Sequence, residues 1–172
     1  RILRRMKRVA ALIFLLVFAF VAFAHHTATP TTIIFVRHAE KLTDPTNKDV
    51  GLSPEGEARA ERLARMLAGA NVTAIHTTPY VRTRSTAAPT AKMAKVTPIE
   101  TTPGPAYAAD MAAKLRASHG TILVVGHSNT TQDLMKALGV ENAPKIEESE
   151  YDNLFIVTFT GDGEPTMLHL RY

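Results

Sequence analysis

Two continuous apolar runs, Thr32-Ile33-Ile34-Phe35-Val36 and Thr121-Ile122-Leu123-Val124-Val125, show no polar alternation and so predict strands buried on both faces. A shorter run at 72–76 and a weaker one at 96–100, broken by Pro98, predict two more strands. Between them the period becomes helical. Ser53-Pro54-Glu55 opens a helix with a capping hydroxyl, a proline suited to the first turn and an acid at the positive end of the dipole. Leu63, Met66 and Leu67 give that helix its apolar stripe, and Gly69 ends it. Thr77-Thr78-Pro79 repeats the cap-then-proline signal ahead of a helix reaching Lys95. An alanine-rich helix follows the turn at 103–105 and runs to His119-Gly120, and another covers 129–138. Segments 154–159 and 166–170, joined across Gly161-Asp162-Gly163, predict a hairpin. This alternation predicts one α/β domain: a three-layer sandwich with a mainly parallel central sheet and helices on both faces.

The pattern before residue 25 is of another kind. Arg1, Arg4, Arg5, Lys7 and Arg8 precede an apolar block of 15 residues, 9–23, and Ala22-Phe23-Ala24 supplies small residues where a signal peptidase cuts. The block is shorter than the roughly 20 residues of a spanning helix. Residues 1–24 are therefore expected to be a secretory leader, or failing cleavage an inner-membrane anchor, with Met6 a possible start. The working domain is then 25–172, secreted or periplasmic, with the membrane reached only through the N-terminal segment.

Setting the leader aside changes the charge argument, because five of the 20 basic residues leave with it and 15 then face 16 acids. The net charge falls from +4 to −1. No basic stripe interleaved with aromatics remains, so nucleic acid is not an expected partner. Cysteine is absent, which excludes thiolate chemistry and cysteine-based zinc sites. The seven histidines lack metal-ligand spacing except for His25-His26, read as solvated tail. No metal or other cofactor is expected.

The strongest chemistry stands at the ends of the two buried runs. The first leads into Arg37-His38 and the second into Gly126-His127, and in an open parallel sheet ligands bind beyond the carboxyl ends of strands. Arg82 lies one turn into the helix following Pro79, close to an end that favours anions. Two imidazoles and two guanidiniums would supply the donors that a phosphoryl group requires.

At these residues the chain resembles the histidine phosphatase superfamily, with its phosphoglycerate mutase-like fold. The family's Arg-His-Gly appears as Arg37-His38-Ala39, its Leu-Ser-x-x-Gly as Leu52-Ser53-Pro54-Glu55-Gly56, and its Ser-Pro-x-x-Arg-x-x-x-Thr-Ala as 78–87, with the later Gly-His at Gly126-His127. The resemblance implies that His38 is a nucleophile that takes the phosphoryl group and that water later releases it. Arg37, Arg82 and His127 would bind the phosphoryl oxygens, a task needing no metal. It also implies an acid to protonate the leaving oxygen. Glu100 fits the family's usual place, with Glu40 and Asp110 as alternatives. Ala39 sets a methyl group beside the nucleophile, and Thr78 keeps the hydroxyl of a cap.

The chain lacks the extra loops of the family's mutases, so the expected reaction is hydrolysis of a phosphate monoester or of phosphohistidine, as in the small phosphohistidine phosphatases it also resembles. A phosphorylated small molecule or a phosphoprotein would be the substrate. Selectivity is expected from the loop after Glu40, from 101–107 and from Asn129. Two other readings compete. Gly126-His127-Ser128-Asn129-Thr130 is similar to the nucleophile elbow of α/β-hydrolases, with Ser128 attacking and Asp152 and His169 following in order, although Thr130 stands where the elbow needs glycine. The other is a non-catalytic phosphate-recognition module. His76 and His169 are read as sheet residues, His119 as a helix-end cation and Arg84 as solvent-facing.

Overall fold

In chain order the elements are β1 (Thr31–Arg37), α1 (Pro54–Met66), β2 (Val72–Thr77), α2 (Val81–Ala94), β3 (Ile99–Glu100), α3 (Tyr107–Arg116), β4 (Gly120–Gly126), α4 (Ser128–Ala137), β5 (Asn153–Phe159) and β6 (Thr166–Arg171). The structure is a computed structural model that describes residues 29–172; the leader reading and His25-His26 lie outside the described residues. Among the described residues, no helix is long and apolar enough to cross a membrane.

The apolar runs are continuous because both faces of the sheet are covered. Ile33 and Phe35 of β1 pack with Met111 and Leu115 of α3 and with Leu134 and Met135 of α4. Their neighbours Ile34 and Val36 point the other way, into Leu63 of α1 and Ala87 and Ala91 of α2. The result is the expected three-layer sandwich. The sheet order is β3-β2-β4-β1-β5-β6, with the first four strands parallel, β5 running against β1 and β6 against β5.

This order fixes where a ligand goes. The connection leaving β1 enters the α1–α2 layer, whereas the one leaving β4, its neighbour, enters the α3–α4 layer on the opposite face. A crevice opens between their carboxyl ends.

Local signals held unevenly. Ser53 caps α1, its Oγ accepting from the Gly56 N–H at 3.2 Å. Gly56 is required by a close approach, since a Cβ there would lie 2.0 Å from the carbonyl oxygen of Glu40. Met66 is 47% exposed, because the buried stripe runs instead through Ala60, Leu63, Ala64 and Leu67. Thr78-Pro79 does not cap α2. The helix starts later, with Tyr80 at its N-cap and no side-chain cap of its own, and Asp49 from the preceding loop accepts the Val81 N–H at 2.8 Å. The third strand shrinks to two exposed residues at the sheet edge, after Pro98. His119 lies beyond the end of α3.

Candidate active site

The two strand ends are tied together. Arg37 is the register partner of Gly126, and the His38 N–H donates to the Gly126 carbonyl at 2.9 Å. His38 and His127 consequently stand with ring centroids 5.3 Å apart at an interplanar angle of 68°. They line a crevice of about 360 Å³ together with Arg37, Arg82, Lys41 and Tyr80, while Pro103, Asn129 and Glu148 contribute from three further segments. A recess of about 350 Å³ between α1 and α2 has no titratable side chain in its lining and offers no comparable chemistry.

The state of His38 follows from its partner. Its Nδ1 lies 2.8 Å from the carbonyl oxygen of Ala39, and a carbonyl only accepts, so Nδ1 carries the hydrogen and Nε2 keeps its lone pair. Burial pushes its pKa from the ordinary 6.5 down to about 3, aided by the positive charge of Arg37 and opposed by the bond to Ala39. The ring is neutral at physiological pH. His127 is likewise lowered to about 4, by burial first and then by Arg82 and Arg37.

Both arginines are held by backbone carbonyls of segments distant in the chain. Nη1 of Arg37 donates to the carbonyls of Glu147 (2.9 Å), Glu148 (2.8 Å) and Glu150 (3.2 Å), and its guanidinium lies 4.4 Å from the centre of the Tyr151 ring. Nη1 of Arg82 donates to the Lys48 carbonyl at 3.1 Å, and its guanidinium lies 4.4 Å from the centre of the Tyr80 ring. Each also buries an Nε–H with no partner among the described residues. Such unfilled donors beside two neutral imidazoles suit an anion.

Four of the five expected site residues, Arg37, His38, Arg82 and His127, meet in this crevice. Glu100 does not line it. β3 is too short and too far out in the sheet to carry it inward, and its half-exposed carboxylate faces Arg84 at 3.6 Å. The alternatives are engaged elsewhere as well. Both carboxylate oxygens of Glu40 accept from Arg59, at 2.6 to 3.0 Å, and Asp110 lines a separate recess with Lys114. The carboxylate that does line the crevice is Glu148, which sequence reasoning missed. It accepts from Nη2 of Arg37 at 2.7 Å and from Oγ of Ser128 at 2.5 Å, and the Ser128 bond, with Arg37, holds its pKa below the usual carboxylate value. The available signal was the acidic run Glu147-Glu148-Ser149-Glu150 leading into β5.

Two further expectations are corrected. The methyl of Ala39 packs in a small core with Leu52 and Ala60 rather than narrowing the approach to His38, and the Ala39 N–H donates to Thr86 of α2. The hydrolase constellation is not assembled. Ser128 bonds to Glu148, Asp152 pairs with Arg171 at 2.7 Å, and Nε2 of His169 donates to Oδ1 of Asn153 at 2.8 Å while the ring stacks on Phe155. His76 and His169 are indeed sheet residues.

Residues 33–104, which include Arg37, His38 and Arg82, match the family model of the histidine phosphatase superfamily (branch 1). No curated protein sequence matches the chain significantly. Among solved structures it is similar to the protein histidine phosphatase SixA complexed with tungstate, at 18% identity and a TM-score of 0.66, covering 81% of this chain and 96% of that one. It is also similar to the mycobacterial glucosyl-3-phosphoglycerate phosphatase, at 15% identity and a TM-score of 0.60 over 75% of this chain and 90% of the other. Phosphoglycerate mutase from Bacillus anthracis matches at 14% identity and a TM-score of 0.62, over 84% and 94% respectively. At such identities the likeness establishes the phosphoglycerate mutase-like fold. The chain thus has the fold and, over 33–104, the sequence pattern of the histidine phosphatase superfamily.

Proposed function

We propose that this protein is a phosphatase that hydrolyses a phosphate monoester or a phosphohistidine through a phosphohistidine intermediate on His38. The observation that carries this reading is the bond from Nδ1 of His38 to the Ala39 carbonyl, which leaves a bare, neutral Nε2 beside Arg37, Arg82 and His127. In the first step Nε2 forms a bond to phosphorus as the bond to the leaving atom breaks. In the second, water attacks the same phosphorus, the P–N bond breaks, and inorganic phosphate departs with the imidazole restored. The guanidiniums offset the charge on the equatorial oxygens, so no metal is required.

The proton for the leaving group bears on the substrate. Glu148 has a lowered pKa and is a carboxylate at neutral pH, and no other carboxyl lines the crevice among the described residues. That favours leaving groups needing little proton help, such as an aryl oxygen or the nitrogen of a phosphohistidine. The substrate is accordingly a phosphorylated small molecule or a phosphoprotein. With residues 1–24 read as a leader, the reaction runs outside the cytoplasm.

Replacing His38 with alanine tests the assignment. The wild-type protein is expected to turn over an aryl phosphate in the presence of a chelator and, on rapid quenching, to retain an acid-labile, alkali-stable phosphoryl label. His38→Ala is expected to lose both by several orders of magnitude while keeping its circular dichroism spectrum. Undiminished turnover would reject the role.

A further inference from the structure

The loop between β1 and α1 is exposed at every position from 41 to 49, so core packing does not set its shape. Its own side chains do. Oδ1 of Asp44 accepts the Thr46 N–H at 2.8 Å and the Asn47 N–H at 3.2 Å, and Oδ1 of Asn47 accepts the Asp49 N–H at 2.9 Å. The base of the loop is closed by the Leu42 N–H, which donates to the Gly51 carbonyl at 3.0 Å, and by the buried Val50 and Leu52. Asp49 is the last exposed residue before the chain turns inward.

From this end of the loop two bonds reach the start of α2. Oδ1 of Asp49 accepts the Val81 N–H at 2.8 Å, and the carbonyl of Lys48 accepts from Nη1 of Arg82 at 3.1 Å. The same carboxylate oxygen lies 4.0 Å from that Nη1. Tyr80 stands at the N-cap and offers α2 no side-chain bond, so an orphan N–H of the first turn depends on Asp49. Arg82 is the next residue of that turn. Between the Lys48 carbonyl and the Tyr80 ring, its guanidinium is held before any ligand arrives, and its buried Nε–H has no partner among the described residues.

We propose that Asp49 is a positioning residue for the phosphoryl site: by capping α2 it seats the Lys48 carbonyl against Arg82 and so fixes where that guanidinium stands. This rests on the reading of the crevice as a phosphoryl site. Asp49 does not line the crevice. Its charge alone works against the task, because a carboxylate near a guanidinium competes with an incoming anion. What it contributes is an acceptor oxygen in the right place, and asparagine supplies the same oxygen without the charge.

Sulfate, a dianion through the neutral range that does not turn over, is the probe. In calorimetric titration, Asp49→Ala is expected to bind it about fivefold more weakly, the worth of a typical lost helix cap. Asp49→Asn is expected to bind within about twofold of the wild type, or more tightly. Arg82→Gln is expected to weaken binding by itself, and Asp49→Ala added to it to have no further effect, because the group that Asp49 positions is gone. A purely structural role would lower the urea midpoint of Asp49→Ala and leave its sulfate affinity unchanged. Undiminished affinity in Asp49→Ala, an equal loss in Asp49→Asn, or a further loss in the double variant would each overturn the proposal. Failure of the wild type to bind sulfate, or wild-type affinity in Arg82→Gln, would overturn the phosphoryl-site reading beneath it.

Discussion

Glu148 occupies a place that a substrate oxygen would also want. Its carboxylate joins Nη2 of Arg37 to the hydroxyl at the start of α4, a helix end that favours negative charge, and so acts as an internal anion resting on the cradle. Its side chain is 81% exposed, so the pair is worth no more than an exposed ion pair, and a phosphoryl group can displace it. Glu148→Gln is therefore expected to bind sulfate or phosphate more tightly, by up to about fivefold, the worth of one such pair. Weaker binding in equilibrium titration would mean that the carboxylate helps to build the site rather than compete for it.

At the level of elements, the segment that follows His38 is held by a helix it does not belong to. α1 begins against the backbone of Glu40, where the Ser53 N–H donates to the Glu40 carbonyl at 2.9 Å and the missing side chain of Gly56 leaves room for the contact. Arg59, one turn further along α1, grips the Glu40 carboxylate and reaches the Tyr172 carbonyl at 2.7 Å. A methyl group at residue 56 would meet backbone rather than a yielding side-chain tip, so the helix itself must move. Gly56→Ala is expected to cost about 1–3 kcal/mol in urea unfolding, the usual range for overpacking, and to lower turnover by shifting the segment after His38. Wild-type stability and activity together would show that the approach is looser than the geometry indicates.

For the molecule as a whole, the buried imidazoles set an acid limit on stability. His38, His127 and His76 all have pKa values lowered by burial, the first two from 6.5 to about 3 and about 4. The unfolded chain therefore takes up protons first as the pH falls. The contribution of these groups is fully present above the unfolded value of 6.5 and is lost progressively on acidification toward the folded values. The paired carboxylates Glu40 and Glu148 are lowered from 4.5 and begin to act only below that value, so the window between the two reports the histidines. The urea midpoint is expected to fall from about pH 7 to about pH 5, and His38→Gln with His127→Gln to flatten the fall. A flat wild-type profile would contradict the burial of neutral rings.

The sequence by itself determined the layers and most of the charged and imidazole side chains that meet in the crevice. Continuous apolar runs can be satisfied only by a sheet covered on both faces, and Arg37, His38 and His127 follow those runs directly, so their position at strand ends was legible. Ser53 and Pro54 set the start of α1 through local bonds alone. What local pattern did not contain was decided by groups far apart in the chain. The α2 cap comes from Asp49, the crevice carboxylate is Glu148 rather than Glu100, and Thr78 serves His127 rather than a helix end. Each depends on which strands are neighbours, and that choice is made by packing of the whole sheet, where contacts between distant segments outweigh any preference within a few residues.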